Sequence, residues 1–411
     1  MKVLWLSNCS LVDMENKGTG SWLFSMSKAL CSRGIELYNI TQTYDRELVE
    51  KQGDNIKEWR LPKTKLKNGL PPQKHINIIL NIIDEIKPDI IHIWGVEFYW
   101  GLLTARGYIK GNILLEMQGL KSSCADVFYG GMNFKEILST LRVKEFLLFN
   151  RSLIFGKRIF KKWGKFEEEI LTAHRSISVQ SEWVKARIKP FISKETKLFD
   201  TGIIVRNEFF EAEPWGYRNK KDNPVIFAMS SGAIAYKGIH ILIKALSLLK
   251  KQYPNISLRL AGDFQQGMRF YRKSGYIKFL ERLIKKYDLD VTFLGPLNAE
   301  ELIEEMRNSD VMVQSSFVES YSLALAEAMA FGIPCVVSYA GAMPELAIDN
   351  ESVLFYSPTD YFNCAYQINR LIESDKLSSE LSIKAKEIAS GRNKYGDVVE
   401  TQMKIYSEMC K

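Results

Sequence analysis

The chain has 411 residues, of which 46% are hydrophobic and 25% charged, and its net charge is +8. That length exceeds one ordinary core, so two domains are expected, and the composition is that of a globular chain rather than a disordered or fibrous one. No run reaches the roughly 18 apolar residues needed to span a bilayer, and the first residues turn polar too soon for a secretory signal. Six cysteines are scattered without a C-x-x-C pair, which reads as reduced thiols in a cytoplasmic protein. The four histidines show no metal-ligand spacing, so no metal site is expected.

In chain order, Val3 to Ser7 is a short apolar strand. Gly18 and Gly20 break the chain before Ser21, an N-cap for a helix to about Arg33. Ile35 to Ile40 alternates as a strand. A helix from Gln73 to Lys87 is stopped by Pro88. Buried strands follow at Asp89 to Trp94 and Asn112 to Met117, then Ser176 to Val179 and Lys197 to Asp200, with a helix at Glu182 to Ile188. The polar stretch Glu211 to Pro224, with two prolines, reads as a linker. Beyond it the alternation resumes. Strands are predicted at Val225 to Met229, Ser257 to Ala261, Val291 to Leu294, Val311 to Gln314 and Cys335 to Ser338. Helices are predicted at Gly238 to Lys251, about Phe270 to Tyr287, and Ala299 to Asn308. Short apolar strands alternating with helices imply parallel sheets, whose ligands bind at the carboxyl ends of the strands.

The most informative stretch runs from Glu319 to Glu327. Two carboxylates stand at the ends of an apolar helix pattern, about 12 Å apart if helical. The helix start, with Ser320, Tyr321 and Ser322, offers free N–H groups to a phosphate. This spacing resembles the Glu-x7-Glu signature of the retaining glycosyltransferases of family 4. The resemblance implies the GT-B fold, an α/β architecture of two doubly wound Rossmann-like domains whose parallel sheets face a central cleft. It implies an N-terminal acceptor domain (1–210), a linker (211–224), a C-terminal nucleotide-sugar domain (225–388) and a last helix (389–411) that crosses back onto the first domain.

The resemblance also implies roles. Glu319 would bind hydroxyls of the donor sugar and Glu327 the ribose. Lys237 matches the lysine that neutralises the donor diphosphate, whereas Gly232 stands where the family has an arginine. Leu297, after Gly295 and Pro296, falls where backbone groups hold the base. Gly18 and Gly20 correspond to the glycine-rich first loop. His92 belongs to a D-x-x-H-x-H pattern whose second histidine is Trp94 here, and both Gly20 and His92 are assigned to the acceptor or sugar side. Gln118 replaces a histidine beside the reacting carbon, in a Gln-Gly-Leu version found among surface-polysaccharide members. The Gly341 to Leu346 turn resembles the family's G-G-x-P-E.

The expected activity is metal-independent transfer of a sugar, with retention, from a nucleotide sugar to a glycan or lipid-linked glycan, without a further cofactor. Residues 142–165 interleave eight basic residues with large apolar ones. That pattern suits contact with an anionic membrane, here the inner face of the cytoplasmic membrane. Nucleic acid is not an expected partner. Two other readings keep the fold. The departures at Gly232, Trp94 and Gln118 fit a catalytically silent nucleotide-sugar-binding or scaffold protein, and a sugar-nucleotide epimerase would want acids in the first domain.

Overall fold

The computed structural model describes residues 1–12, 20–141, 152–217, 222–265, 268 and 273–411. The first domain carries an eight-stranded sheet in the order β3-β4-β2-β1-β5-β6-β7-β8. Its strands are β1 (Lys2–Leu6), β2 (Glu36–Thr43), β3 (Val49–Gln52), β4 (Ile56–Pro62), β5 (Ile90–Trp94), β6 (Ile113–Glu116), β7 (Ser176–Val179) and β8 (Lys197–Asp200). All pairings are parallel except β3 with β4. The second domain has six parallel strands in the order β11-β10-β9-β12-β13-β14. They are β9 (Val225–Met229), β10 (Ser257–Ala261), β11 (Asp290–Gly295), β12 (Val311–Gln314), β13 (Cys335–Ser338) and β14 (Leu354–Tyr356). Central strands such as β5 and β12 are buried along their whole length, because helices cover both faces. The β3–β4 pair escapes the sequence reading. β3 is a charged edge strand with alternate residues exposed, so it lacks an apolar run.

Two apolar bridges join the domains. One buried cluster runs from Trp5 and Leu30 through Ile203, Phe209, Trp215 and Tyr406 to Phe227, Leu325 and Phe331. The predicted linker is therefore anchored. Trp215 is buried, its Nε1 donates to the Ser309 carbonyl at 2.8 Å, and its backbone N–H donates to the Phe331 carbonyl at 3.3 Å. The C-terminal helix Tyr395–Met409 lies against the first domain. Its Tyr406 hydroxyl accepts from Trp5 Nε1 at 3.0 Å and meets His92 Nδ1 at 2.7 Å.

The second bridge is a strap, Phe128 to Thr140, that leaves the first domain and docks on the second. Met132 is buried in the second domain's core. His240 Nε2 donates to the Gly130 carbonyl at 2.8 Å, and its Nδ1 meets the Tyr276 hydroxyl at 2.8 Å. Lys244 pairs with Glu136 at 2.5 Å, and Arg282 donates to the Ser139 carbonyl. Gly130 (φ +56°) must be glycine, because a Cβ there would run into the Ala235 carbonyl.

Burial holds the imidazoles of His240 and His174 down to about 4 and also lowers that of His92. Unfolded imidazoles titrate near 6.5. With the folded values below that, stability is complete above about 6.5 and is lost as pH falls from there toward 4. The free energy of unfolding in denaturant should be lower near pH 5 than near pH 7.5 by roughly 2 kcal/mol for each of His240 and His174. His240→Asn should shrink that pH dependence. Equal stability at the two pH values would show that these rings titrate normally.

Candidate functional site

The helix Leu323–Phe331 is apolar on all sides and buried from Leu325 to Phe331. It lies against β12 and β13, so the loop before it opens at the carboxyl edge of the second sheet. Ser322 caps the helix from the left-handed region (φ +85°), an uncommon conformation for a residue with a side chain. Glu319 sits in this loop and is mostly buried. Its position depends on Gly341 (φ +57°): a Cβ there would lie 2.6 Å from the Glu319 backbone nitrogen. Ala342 N–H also donates to the Glu319 carbonyl at 2.9 Å. The turn before Pro344 thus acts as a support for Glu319.

Lys237 ends a short 3-10 turn after β9. Gly238 follows at φ +72°, where a side chain would strike the Ser315 carbonyl, and Ser315 Oγ donates to the Lys237 carbonyl at 2.9 Å. Lys237 Nζ reaches Glu319 Oε1 at 2.7 Å, and Gln314 Nε2 donates to the same oxygen at 3.1 Å. An ammonium and a carboxylate from separate loops are therefore paired on one wall of the cleft.

The opposite wall belongs to the first domain. Glu97 follows β5 past Gly95 and Val96, and Lys121 opens the short helix Lys121–Asp126 after β6. Lys121 Nζ donates to the Glu97 carbonyl and lies over the rings of Trp163 (4.4 Å), Phe98 (5.1 Å) and Phe160 (5.9 Å). Glu167 accepts from the backbone N–H of Lys121 at 2.5 Å and of Ser122 at 3.0 Å. Burial pushes the Glu97 carboxyl up to about 7, against the pull of nearby N–H groups and of Lys121. Burial also lowers Lys121 and raises Glu167. Glu97, Lys121, Phe160, Trp183, Lys237 and Glu319 all line one cavity of about 220 Å³ between the domains.

The walls are latched. Ser320 Oγ donates to the Gln118 carbonyl, and Ser181 Oγ donates to the Ser320 carbonyl at 2.8 Å. Glu345 accepts from the backbone N–H groups of Glu182 (2.8 Å) and Trp183 (2.7 Å), so an acid of the second domain caps a helix of the first.

Several sequence-predicted residues stand elsewhere than expected. His92 is enclosed between Tyr406 and Glu116 and stacks on Trp94 at 4.0 Å, so it faces the C-terminal helix rather than the cleft. Glu327 is buried, and its Oε1 accepts from Arg206 Nε at 2.7 Å. Burial raises its carboxyl while Arg206 opposes the rise. Tyr321 is buried and takes a hydrogen bond from Asn393 at 2.5 Å. Gly20 serves as a left-handed helix start (φ +97°), and Gly18 lies outside the described residues. Leu297 packs partly buried on the core beside β11. Gln118 packs on Gly95, and its buried Nε2 has no hydrogen-bond partner among the described residues. Among the described residues, the nearest atom to a Cβ added at Gly232 is the Asp263 carbonyl at 3.8 Å. Of the basic segment, 142–151 lies outside the described residues. In the following helix Leu153–Ala173, Arg158, Lys161, Lys162 and Lys165 are exposed, while Phe160 turns to the cavity. No helix among the described residues is long and apolar enough to cross a membrane.

Residues 211–388 match the sequence profile of a family described as "Glycosyl transferases group 1". Over 205 residues the chain is 27% identical to a trehalose synthase of Pyrococcus horikoshii, covering 49% of this chain and 46% of that one. Over 168 residues it is 30% identical to protein CapJ of Staphylococcus aureus, covering 40% and 39%. The chain thus spans less than half the length of these relatives. Its fold matches a sucrose-phosphate synthase from Thermosynechococcus elongatus (TM-score 0.76, 18% identity, 99% of this chain and 98% of that one). It also matches Anabaena HepE solved with UDP-glucose (TM-score 0.69, 16% identity, 99% and 100%). The architecture is therefore that of GT-B glycosyltransferases.

If Gly341 supports Glu319 as described, Gly341→Ala should destabilise the protein by roughly 1–3 kcal/mol in urea unfolding. Gly391→Ala has open space around its Cβ and should be neutral or slightly stabilising. Equal behaviour of the two variants would remove the support role.

Proposed function

We propose that this chain is a retaining glycosyltransferase that moves a sugar from a nucleoside-diphosphate sugar onto a glycan hydroxyl. The observation that carries the reading is the Lys237–Glu319 pair on the wall of a closed cleft, at the carboxyl end of the second sheet. In such a transfer the bond from the anomeric carbon to the phosphate oxygen breaks, and negative charge grows on the departing diphosphate. Lys237 stabilises that charge where little water dilutes the field. Donor binding exchanges partners: the diphosphate takes Lys237 from Glu319, and the freed carboxylate accepts hydrogen bonds from sugar hydroxyls. The pair thus keeps the empty site neutral and arms both groups when the donor arrives. Retention follows if the acceptor attacks from the face the diphosphate leaves, with the diphosphate taking the acceptor's proton.

The match to group 1 glycosyl transferases and the UDP-glucose complex of HepE support a nucleotide-sugar donor. The Gln-Gly-Leu run that starts at Gln118, resembling the version found among surface-polysaccharide members of the family, supports a surface polysaccharide as the product class. The exposed lysines of helix Leu153–Ala173 support contact with an anionic membrane during the reaction. A nucleotide-sugar-binding protein without turnover is the second reading. It is favoured by Gly232, which stands where the family resemblance implies an arginine.

A screen of UDP-, GDP-, ADP- and CMP-sugars tests the two together. One donor should release its nucleotide, and Lys237→Ala should cut that rate at least about 100-fold. Because Gly232 has space beside it among the described residues, Gly232→Arg should tighten donor binding in calorimetry several-fold by adding a further charged donor to the diphosphate. Binding without turnover, in the presence of candidate acceptors, would move the conclusion to the second reading. No binding of any donor would overturn both.

A further inference from the structure

Glu97 is a first-domain carboxylate on the wall of the interdomain cavity. It lies against the backbone of two glycines, Gly95 (φ +96°) and Gly119. A side chain at Gly119 would stand 2.6 Å from Glu97 Oε1, and one at Gly95 would run into Oε2. The acid is half-buried and lines the interdomain cavity. Its neighbour Lys121 gives its ammonium to the Glu97 backbone carbonyl and to a set of ring faces. Burying a carboxylate is costly. Lys121 and backbone N–H groups hold one on the wall opposite Lys237 and Glu319. Phe160 and Trp183, on the same side of the cavity, offer apolar faces of the kind that pack on sugar rings.

We propose that Glu97 is the acceptor-side carboxylate, accepting a hydrogen bond from a hydroxyl beside the attacking one on a neutral pyranoside and so aiming the attacking oxygen at the anomeric carbon. This rests on the glycosyltransferase reading. In the step, the hydroxyl oxygen bonds to the anomeric carbon, the bond from that carbon to the diphosphate breaks, and the hydroxyl proton passes to the departing diphosphate. Glu97 stays ionised throughout and fixes the geometry, which is where an acceptor-side group contributes most. A carboxylate in this place favours an uncharged acceptor: a sugar phosphate would bring an anion against Glu97.

Among the described residues, the charged and titratable groups facing Glu97 are Lys121, Cys124 and Glu167 from its own domain, with Tyr236, Lys237 and Glu319 across the cavity. Since Glu97 titrates at about 7 and acts ionised, the rate should rise with pH through that value and then level off. Using the donor found in the screen, nucleotide release is measured with methyl hexopyranosides, with hexose phosphates, and with water alone, across pH. Glu97→Gln should lower transfer to the neutral glycosides about 100-fold, leave donor affinity within about two-fold, and lose the rise near pH 7. Glu97→Asp keeps a carboxylate and should restore that rise and part of the rate, which separates the role from a folding defect. If Glu97→Gln keeps the wild-type rate and pH profile, in the glycoside and in the water reaction, the proposal fails alone. Preference for hexose phosphates over neutral glycosides overturns it too. A wild-type chain that releases no nucleotide from any donor takes down the glycosyltransferase reading and this proposal with it.

Discussion

An ion enclosed between two protein walls must be matched by an opposite charge or by hydrogen bonds, because its lost hydration costs several kcal/mol. The cleft is organised around that constraint. Glu319 has Lys237, Glu327 has Arg206, and Lys121 stands between the charges of Glu97 and Glu167. Each pairing ties together elements distant in sequence: a turn after β9 with a loop after β12, the inter-domain segment with the apolar helix, and one strand end with the next. Local backbone then bends to serve the charges. Gly238 and Gly341 adopt left-handed conformations beside Lys237 and Glu319, where a Cβ would collide with backbone.

The same constraint explains why the closed arrangement is so heavily latched. A neutralised cleft has little repulsion to force it open, and Glu345, Ser181 and Ser320 add hydrogen bonds across the opening. Behind them the continuous apolar cluster through Phe209, Trp215 and Tyr406 joins the same two domains. Motion that opens the front must flex this cluster or release the strap on the second domain. Substrate access is thereby linked to a small set of contacts that are remote from Lys237 and Glu319.

Most of the architecture was legible because parallel strands buried on both faces announce themselves as apolar runs, and Val225 to Met229 or Val311 to Gln314 are of that kind. β3 was not legible, since Val49 to Gln52 alternates charges at a sheet edge. The family resemblance singled out Lys237 and Glu319, and the fold brings the two into one ion pair. The enclosure of His92 was not legible, because the residue that encloses it, Tyr406, lies 314 positions away in sequence. Glu327 shows the same limit: nothing near it in the chain signals that Arg206, in the segment between the domains, takes its carboxylate. Glu97 left a usable trace. It is an acid three residues past a fully buried strand, at the edge where such sheets bind ligands, and a search of strand ends for charged residues would have found it. Lys121 follows the conspicuous Gln-Gly-Leu and was overshadowed by it.

The strap has a consequence for how this molecule can vary. Met132 belongs by sequence to one domain and by packing to the other, so the second domain cut out alone would carry a hole where that side chain sits. It would also leave His240, Lys244 and Arg282 facing solvent without Gly130, Glu136 and Ser139. Grafting one half onto a foreign partner therefore fails unless residues 128–140 travel with the graft or are rebuilt to suit the new surface. The two recognition tasks, one on each wall, are inherited as a matched pair, and altering one by shuffling whole domains disturbs the seat of the other.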